Sequence, residues 1–406
     1  METTLASKTV AAPLPQASAA SLLLNIPWFI YATVFASLCI VVGLIWDISW
    51  HMSIGRDGLL SPPHLAMYLG AIIAGTFSGY QVLQTTFAGK EVQKKQSVRF
   101  WGIFYSSLGA LFCIWGALAM LTSAPFDDWW HDTYGLDVTI LSPPHTVLAL
   151  GMMTIQFGAI ISVLALQNRT DATDLPVDLQ QRRQRRLQVF YIIAAGFFLT
   201  MLFIIASEFQ GRHDMHRSSF YIIGGGLYTF LLSAIARSSP LKWAATATTA
   251  VYMTVLMLMN WILPLFSAKP MLGPILNHID HFQAFDFPLL LIFPALTIDG
   301  VLNRFRGKND WLQALVIAVL FIGVFAAVQW PFGDFLMSPY ARNGFFGTET
   351  WYFSNNPDWE YRYAFAPWME TTGWNLVVGL LTAVGVSVLT TRLGLYWGRW
   401  MQQVRR

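Results

Sequence analysis

The sequence has 406 residues, of which 55% are apolar and only 12% are charged. Because soluble proteins carry about 25% charged residues, this composition excludes an ordinary soluble globular protein. The net charge of +3 indicates little by itself. Cys39 and Cys113 fall inside apolar segments without a CxxC motif, and we interpret them as small core residues.

Ten apolar stretches have the length of about 17–25 residues that crosses a bilayer. They lie near residues 25–47, 63–88, 100–122, 144–167, 188–207, 218–236, 242–266, 286–302, 311–331 and 372–391. In lipid, each backbone polar group must be hydrogen-bonded within the protein, so spans of this kind are helices. The sequence therefore predicts an all-α, polytopic transmembrane bundle of about ten helices arranged as five hairpins.

The distribution of charge predicts how the bundle is oriented. Residues 1–24 are rich in Ala, Ser and Pro, which predicts a disordered N-terminal tail and not a cleaved signal peptide. Most of the 25 lysines and arginines fall on one side of the ten-helix trace, and the positive-inside rule makes that side cytoplasmic. We therefore expect an inner-membrane protein with both termini cytoplasmic and every histidine on the outer, periplasmic side. No folded basic domain accompanies the basic loops, which argues against a nucleic-acid partner.

The first apolar segment ends in Asp47-x3-His51, and His64 follows at the start of the second segment. Residues four apart share one face of a helix, so Asp47 and His51 project together from the last turn. Ser61 and Pro62 are typical of a helix start, which places His64 in the first turn of the next helix. The loop between the two segments can return His64 to Asp47 and His51.

The third and fourth segments repeat this design with one residue inserted. Asp127-x3-His131 ends one segment, and Ser-Pro-Pro precedes His145 at the start of the next. Internal repetition of this kind indicates duplicated hairpins, each with its own polar site. Residues 25–167 are thus predicted to form a unit of duplicated metal-site hairpins. The basic run after it separates this unit from a second helical half, residues 188–406, with a different set of sites.

Each Asp-His-His set has two interpretations. A single Asp or His at a membrane boundary is usually a solvated helix end. Recurrence of Asp-x3-His-x12-His as Asp-x3-His-x13-His favours metal ligation, because ionisable residues beside the membrane tend to be functional. Three protein ligands leave a coordination position open, as reactive metal sites do. Imidazole and carboxylate suit copper, zinc or iron and do not select among them.

Three flanking residues are candidates for orienting these ligands. Asp57 and Asp137 stand at corresponding places in the two copies and can hydrogen-bond the ligating imidazoles from behind. Their alternative interpretation is that of turn aspartates. Arg56 has no counterpart in the second copy, where Leu136 stands, so any role for it is specific to the first site.

The second half carries histidine pairs in corresponding places. Glu208 is followed by His213 and His216, and a later connection carries His278 and His281. His-x-x-His on a helix puts both imidazoles on roughly one face, so each pair is a candidate metal site, with solvated polar groups as the alternative. A long loop over residues 332–371 is rich in aromatics but has no histidine, and we interpret it as a membrane-surface cover.

The first motif resembles the metal site in one membrane subunit of the copper-dependent membrane monooxygenases, the particulate methane and ammonia monooxygenases. That family carries Asp-x-x-Trp-His, then Arg-Asp, then Pro-x-His, at the spacing found here between Asp47 and His64. The resemblance implies that Asp47, His51 and His64 are the catalytic ligands of a copper ion. The second site of the family has Asn-x3-His-x13-His, so Asp127 stands here in the place of an asparagine. The resemblance covers about residues 25–167, and the resembled subunit is shorter than this chain.

These observations support three hypotheses of function. The first is a membrane-embedded copper-dependent monooxygenase, or its metal-bearing subunit, that hydroxylates a small apolar substrate from the bilayer. Its electrons would come from a donor such as a quinol, since no haem or flavin motif is visible, and other subunits of a membrane complex would be partners. The second is a non-enzymatic copper or zinc protein for uptake or storage, and the third is a transporter with structural metals. Away from the hairpin ends the predicted helices are apolar, with Asp299 near the inner end of its segment as an exception, and this near-absence of a polar pathway across the membrane disfavours transport.

Overall fold

The computed structural model describes residues 26–55, 58–135, 142–169, 176–347, 351–353 and 356–406. Within these ranges the chain forms eleven α-helices and one short β-hairpin. The helices are α1 (Trp28–Ser53), α2 (Pro62–Leu83), α3 (Glu91–Lys95), α4 (Leu108–Tyr134), α5 (Pro143–Gln167), α6 (Val177–Ala206), α7 (Ser218–Ser238), α8 (Ala244–Ile262), α9 (Ile292–Arg304), α10 (Asp310–Met337) and α11 (Gly373–Gln403). The strands are β1 (Val98–Phe100) and β2 (Phe104–Ser106), which pair antiparallel. The predicted N-terminal tail, residues 1–24, lies outside the described ranges.

Nine helical segments of the described chain are long and apolar enough to cross a membrane. The prediction of an all-α, multi-pass helical bundle is therefore confirmed. All eight histidines lie at helix ends or in connections that meet at one end of the bundle, which we call the histidine end. The opposite end, where the chain carries most of its lysines and arginines, is called the basic end.

Two predicted segments are helical only in their second part. In segment 100–122 the first residues belong to β1, a turn and β2, and α4 begins at Leu108. The other is segment 286–302. The chain over residues 282–290 is irregular and mostly buried, and α9 begins after it. Pro288 explains the break, since proline lacks an amide donor and disfavours helix in the residue before it. The amide of Leu289 donates to the hydroxyl of Tyr252 at 2.9 Å, and the amide of Leu290 donates to Gln329 Oε1 at 2.9 Å. Irregular chain is tolerated at membrane depth when protein groups satisfy it in this way.

The core has two parts. The larger part joins α1 and α5 to the helices α6 to α10 and to a few residues of α11. The smaller part lies mainly among α1, α2, α4 and α5, the four helices that carry the duplicated motifs. The first helix therefore belongs to both parts, and it connects the duplicated hairpins to the second half of the chain.

Within each of the two duplicated hairpins, glycines allow the backbones of the two helices to approach closely. A Cβ atom on Gly116 of α4 would lie 2.6 Å from the carbonyl oxygen of Gly151 on α5, and one on Gly151 would lie 2.9 Å from that of Gly116. In the first hairpin, a Cβ atom on Gly70 would lie 2.8 Å from the carbonyl oxygen of Ala36. Small residues permit this close approach of membrane helices. The crossing of each helix pair fixes where its two motif-bearing ends lie.

Two buried aspartates have structural partners. The carboxylate of Asp299 on α9 accepts hydrogen bonds from the amides of Ala245 and Thr246, so it caps the first turn of α8. Asp310 at the start of α10 lies at the basic end among three arginines. Its carboxylate oxygens are 3.5, 3.9 and 2.5 Å from nitrogens of Arg237, Arg392 and Arg399. These ion pairs connect α7, α10 and α11.

Candidate metal sites at the histidine end

Asp127, His131 and His145 converge at the tip of the α4–α5 hairpin. Oδ1 of Asp127 lies 3.6 Å from His131 Nε2 and 3.2 Å from His145 Nε2. One atom from each side chain can be chosen so that all three lie within 4.8 Å of one another. Among the residues that the structure describes, this is the one set of three His, Cys, Asp or Glu side chains that meets that distance. The three side chains are between 23% and 34% exposed, so the site is open on one side.

Local structure explains this convergence. Asp127 and His131 occupy the last two turns of α4, and the spacing of four residues aligns them on one face. The helix ends at Gly135, whose φ of 89° suits glycine. Ser142 caps α5 by accepting the amide of His145 at 3.4 Å, and Pro143 occupies the first helical position. The predicted helix boundaries of this motif are confirmed.

The imidazole of His131 is held from behind by the backbone. Its Nδ1 lies 3.1 Å from the carbonyl oxygen of Gly135. A carbonyl can only accept, so Nδ1 carries the proton and donates in this contact. The neutral ring then has its lone pair on Nε2, which faces Asp127. Ligating histidines in metalloproteins are commonly oriented by such a contact at the other ring nitrogen.

The first copy of the motif has a looser arrangement. Asp47 Oδ1 lies 3.2 Å from His64 Nε2, whereas the other oxygen, Oδ2, lies 3.9 Å from His51 Nε2. Asp47 and His64 are largely buried, but His51 is 46% exposed. This set does not meet the mutual distance that the second copy meets. These three side chains could bind one ion together only if the exposed His51 imidazole rotated toward His64.

The end of α1 is fixed by contacts from the second half of the chain. Ser49 Oγ donates to the carbonyl oxygen of Gln283 at 2.6 Å, and the amide of Gln283 donates to Ser53 Oγ at 2.8 Å. The amide of Tyr352 donates to the carbonyl oxygen of Met52 at 3.3 Å. The bonded residues of α1 lie within two positions of His51 in the sequence, so these bonds hold the last turn of α1 in place. Sequence reasoning missed them, because the partners are more than 200 residues apart and no local pattern marks them.

Gly55 completes this attachment. Its φ is +86°, a left-handed conformation that most residues avoid. A Cβ atom at this position would lie 1.9 Å from the hydroxyl of Tyr352. Glycine at this position therefore suits both the backbone conformation and the contact of Tyr352 with the end of α1.

Arg56, Asp57 and Asp137 lie outside the described residues. Their suggested roles in orienting the ligands stay predictions.

His216 in the second half has contacts of another kind. Its buried ring lies between the rings of Trp330 and Phe365, with centroid distances of 4.2 and 3.8 Å. Nδ1 is 3.0 Å from Glu370 Oε1, and Nε2 is 3.4 Å from Asp334 Oδ1. Both ring nitrogens thus face carboxylate oxygens, and Nε2 also lies 3.2 Å from the carbonyl oxygen of Trp330. This imidazole fastens the start of α7 to the end of α10 and to the loop before α11.

His213 lies in a basic environment. Burial, followed by the positive charges of Arg212, Arg342 and Arg217, lowers the pKa of His213 to about 4. The ring is therefore neutral at neutral pH. The same three guanidinium groups would repel a metal cation bound to this imidazole.

The remaining second-half candidates are dispersed. Glu208 and His278 are exposed, and His281 lies beside Asp280, with Nδ1 to Oδ1 at 2.5 Å. The hydrogen bond from His281 lowers the pKa of Asp280. Neither second-half set appears among the described groups with ligand atoms close enough for one ion. A metal role in this half rests on the sequence pattern alone for Glu208, His213, His216, His278 and His281.

Comparison of the chain with protein-family models, with curated proteins and with solved structures gave no match. The resemblance to the copper-dependent membrane monooxygenases therefore stays a prediction from the motif.

Proposed function

We propose that this membrane protein binds copper at its histidine end and acts as a copper-dependent monooxygenase or as the metal-bearing subunit of one. The observation that carries the proposal is the convergence of Asp127, His131 and His145 on one point. Two imidazoles and one carboxylate suit copper, with zinc or iron as the other metals of this chemistry. Three protein ligands leave a position open for an exogenous molecule.

Each residue of the second site has a role in this proposal. Asp127 supplies the negative charge, and its Oδ1 faces both histidines. His131 presents Nε2 because the Gly135 carbonyl holds its Nδ1. His145 completes the set from the first turn of α5, where Ser142 holds its backbone. Bound copper would supply the capacity to activate dioxygen.

The first site, Asp47, His51 and His64, would be the catalytic one, as the family resemblance implies. Its helix end is held by hydrogen bonds to Gln283, which suits a site that must hold reacting groups in place. Leu65 and Leu69 follow His64 on α2 and are about half exposed. They offer an apolar approach from the bilayer, so we propose a small apolar substrate. A quinol and further membrane subunits would supply the electrons that this chain has no visible means to provide.

The proposed orientation places the histidine end in the periplasm, with both termini cytoplasmic, in the inner membrane. Position 95 lies on the exposed surface of α3 at the basic end, and Tyr340 is exposed at the histidine end. We expect a membrane-impermeant thiol reagent to label Tyr340→Cys but not Lys95→Cys from outside, in a background without native cysteines. Labelling of position 95 in intact cells would overturn the orientation.

A non-enzymatic copper or zinc protein for uptake or storage is the second candidate. The partial exposure of His131 and His145 favours it, because an open site exchanges metal readily. A transporter with structural metals is weaker, since the carboxylate of Asp299 is engaged in capping α8 through Ala245 and Thr246.

Metal analysis of the purified protein in native lipid, with and without added copper, tests the proposal. We expect His145→Ala and His51→Ala each to lower the bound metal, because two remaining ligands rarely hold an ion against exchange. Asp128→Ala is the matched control, since it removes an exposed side chain at the same end that is not among the candidate ligands. Full metal content in both ligand variants would overturn the proposal.

Oxygen-dependent product formation separates the two candidates. If the protein is an oxygenase, His51→Ala ends the hydroxylation of a small apolar substrate by copper-loaded protein supplied with a reduced quinol. If it is a store, the wild type forms no product, and His51→Ala changes only the metal content.

A further inference from the structure

The connection between α2 and α4 forms a distinct structure at the basic end. We call residues 84–107 the interfacial hairpin. It consists of a π-helical turn (Gln84–Ala88), α3, and the β1–β2 pair. A candidate membrane span, Pro62–Ala88, ends in its first turn, and another, Leu108–Tyr134, begins directly after it. The interfacial hairpin therefore lies where two spans leave the bilayer.

Its apolar side chains point away from the protein. Phe87, Val92, Trp101 and Ile103 are between 62% and 74% exposed. Trp101 has a φ of 49° and is the one non-glycine residue with positive φ in the described part of the chain. A bulky residue in this conformation is strained, and such strain points to function. Here it keeps an indole ring at the tip of the hairpin.

The interfacial hairpin also carries an excess of basic side chains. Residues 84–107 contain three lysines and one arginine but a single acid, Glu91. Lys90, Lys95 and Arg99 are exposed. The guanidinium group of Arg99 also lies over the Tyr105 ring, 5.8 Å from its centroid. Positive charge and exposed aromatic rings thus occupy one small surface.

The backbone of the hairpin is held by specific bonds. The amide of Tyr105 donates to Thr86 Oγ1 at 2.9 Å, which joins β2 to the π-helical turn. Nε of Arg99 donates to the carbonyl oxygen of Gly102 at 2.8 Å across the tip. These bonds hold the exposed apolar side chains and the basic side chains of the interfacial hairpin on one ordered backbone.

We propose that the interfacial hairpin is a binding site for anionic phospholipid headgroups. Trp101 and Ile103 would enter the boundary between headgroups and acyl chains, where amphipathic aromatic side chains are favoured. Lys90, Lys95 and Arg99 would contact lipid phosphates, and their excess of positive charge selects anionic over zwitterionic lipids. Attachment to the ends of two spans brings this surface to the bilayer and not to a soluble acidic peptide.

The test uses the full chain with a fluorophore at the tip. Ile103→Cys, in a Cys39→Ala and Cys113→Ala background, is labelled with an environment-sensitive dye and titrated in detergent with phosphatidylglycerol or phosphatidylcholine. We expect tighter binding of phosphatidylglycerol, weakened by salt. Lys90→Gln, Lys95→Gln and Arg99→Gln together should abolish the preference for phosphatidylglycerol at low salt, because they remove the excess of positive charge.

The controls distinguish the effect of positive charge on the interfacial hairpin from the effect of positive charge elsewhere on the protein. Arg304→Gln, Arg306→Gln and Lys308→Gln remove the same charge from another exposed connection at the basic end and should leave binding unchanged. A charge-preserving set, Lys90→Arg, Lys95→Arg and Arg99→Lys, should retain the preference for phosphatidylglycerol.

Two results would overturn the proposal. One is an equal response of the wild type to both lipids, which is also what a hairpin made for a protein partner would give. The other is an unchanged preference in the triple glutamine variant. Size-exclusion elution and helical circular dichroism of the variant confirm that it is folded. These substitutions are all on the surface.

Discussion

Asp127→Asn is the sharpest perturbation of the second site, because it removes one negative charge and keeps the shape of the side chain. Asp127 Oδ1 faces both histidine Nε2 atoms, so an ion held by all three would lie about 2 Å from that oxygen. The site is partly exposed, and water screens the charges. At a dielectric constant of about 80, a divalent ion gains roughly 4 kcal/mol from the carboxylate charge.

Part of that energy returns in the variant, because the amide oxygen and water can still coordinate the ion. We expect a net loss of about 2–3 kcal/mol, or roughly 30- to 150-fold weaker binding. The variant also restores asparagine, the residue of the resembled family at this position. The second site should therefore become weaker without losing its metal altogether.

Competition with a chromophoric copper chelator measures this change in purified protein. A His51→Ala background silences the first site, so that a single affinity is observed. Asp128→Asn is the matched control, since it neutralises an exposed carboxylate on the neighbouring residue. Equal affinities in the Asp127→Asn and Asp128→Asn proteins would refute the assignment of Asp127 as a ligand. The cluster would then be a group of hydrogen-bonded surface residues.

Three further outcomes follow from the fold. The His213 pKa is lowered to about 4 from 6.5, so the unfolded chain binds more protons between these values, and stability should fall as pH decreases from 6.5 to 4. His213→Gln should reduce the dependence of the melting temperature on pH between 4 and 6.5. An unchanged dependence would contradict the lowered pKa of His213. Gly151→Ala should lower thermal stability by about 1–3 kcal/mol through its contact with α4, whereas Gly79→Ala, in open space on α2, should be neutral or stabilising; equal effects would refute the close packing. Asp310→Ala should cost about 3 kcal/mol in thermal unfolding, because it leaves three arginines without their shared carboxylate, and a loss below about 1 kcal/mol would contradict that role.

The parts of the structure that sequence reasoning anticipated depend on neighbours along the chain. Asp127 and His131 share a helix face because they are four residues apart, and Ser142 caps α5 because of its own side chain. The apolar spans follow from composition over short windows. The shared helix face and the cap are determined within about one or two helical turns, and each span within about 20 residues.

The parts that were missed depend on distant residues. The ring of His216 meets Glu370 and Trp330, and Gln283 meets Ser49, across 114 to 234 positions of sequence. No periodicity or motif encodes such pairs. They were therefore visible only once the helices had been placed.

Two predictions from the sequence, for segment 286–302 and for the aromatic loop over residues 332–371, agree with the structure only in part. The segment 286–302 has the hydropathy of a span, but Pro288 breaks its helical form. The aromatic loop was interpreted as a membrane-surface cover, yet Tyr352 is buried against the end of α1, and Phe365 stacks on His216. Tyr340 and Trp368 are exposed, so only some of its aromatics face outward.

The unwound stretch before α9 has a consequence for biogenesis. The amide of Leu290 is satisfied by Gln329, which the ribosome makes 39 residues later. Until α10 has been inserted, that amide would face lipid without a partner, at a cost of several kcal/mol. We therefore expect the chain to complete this crossing only after α10 has entered the membrane, whereas the α4–α5 hairpin, whose helices pack through Gly116 and Gly151, can assemble as it is made.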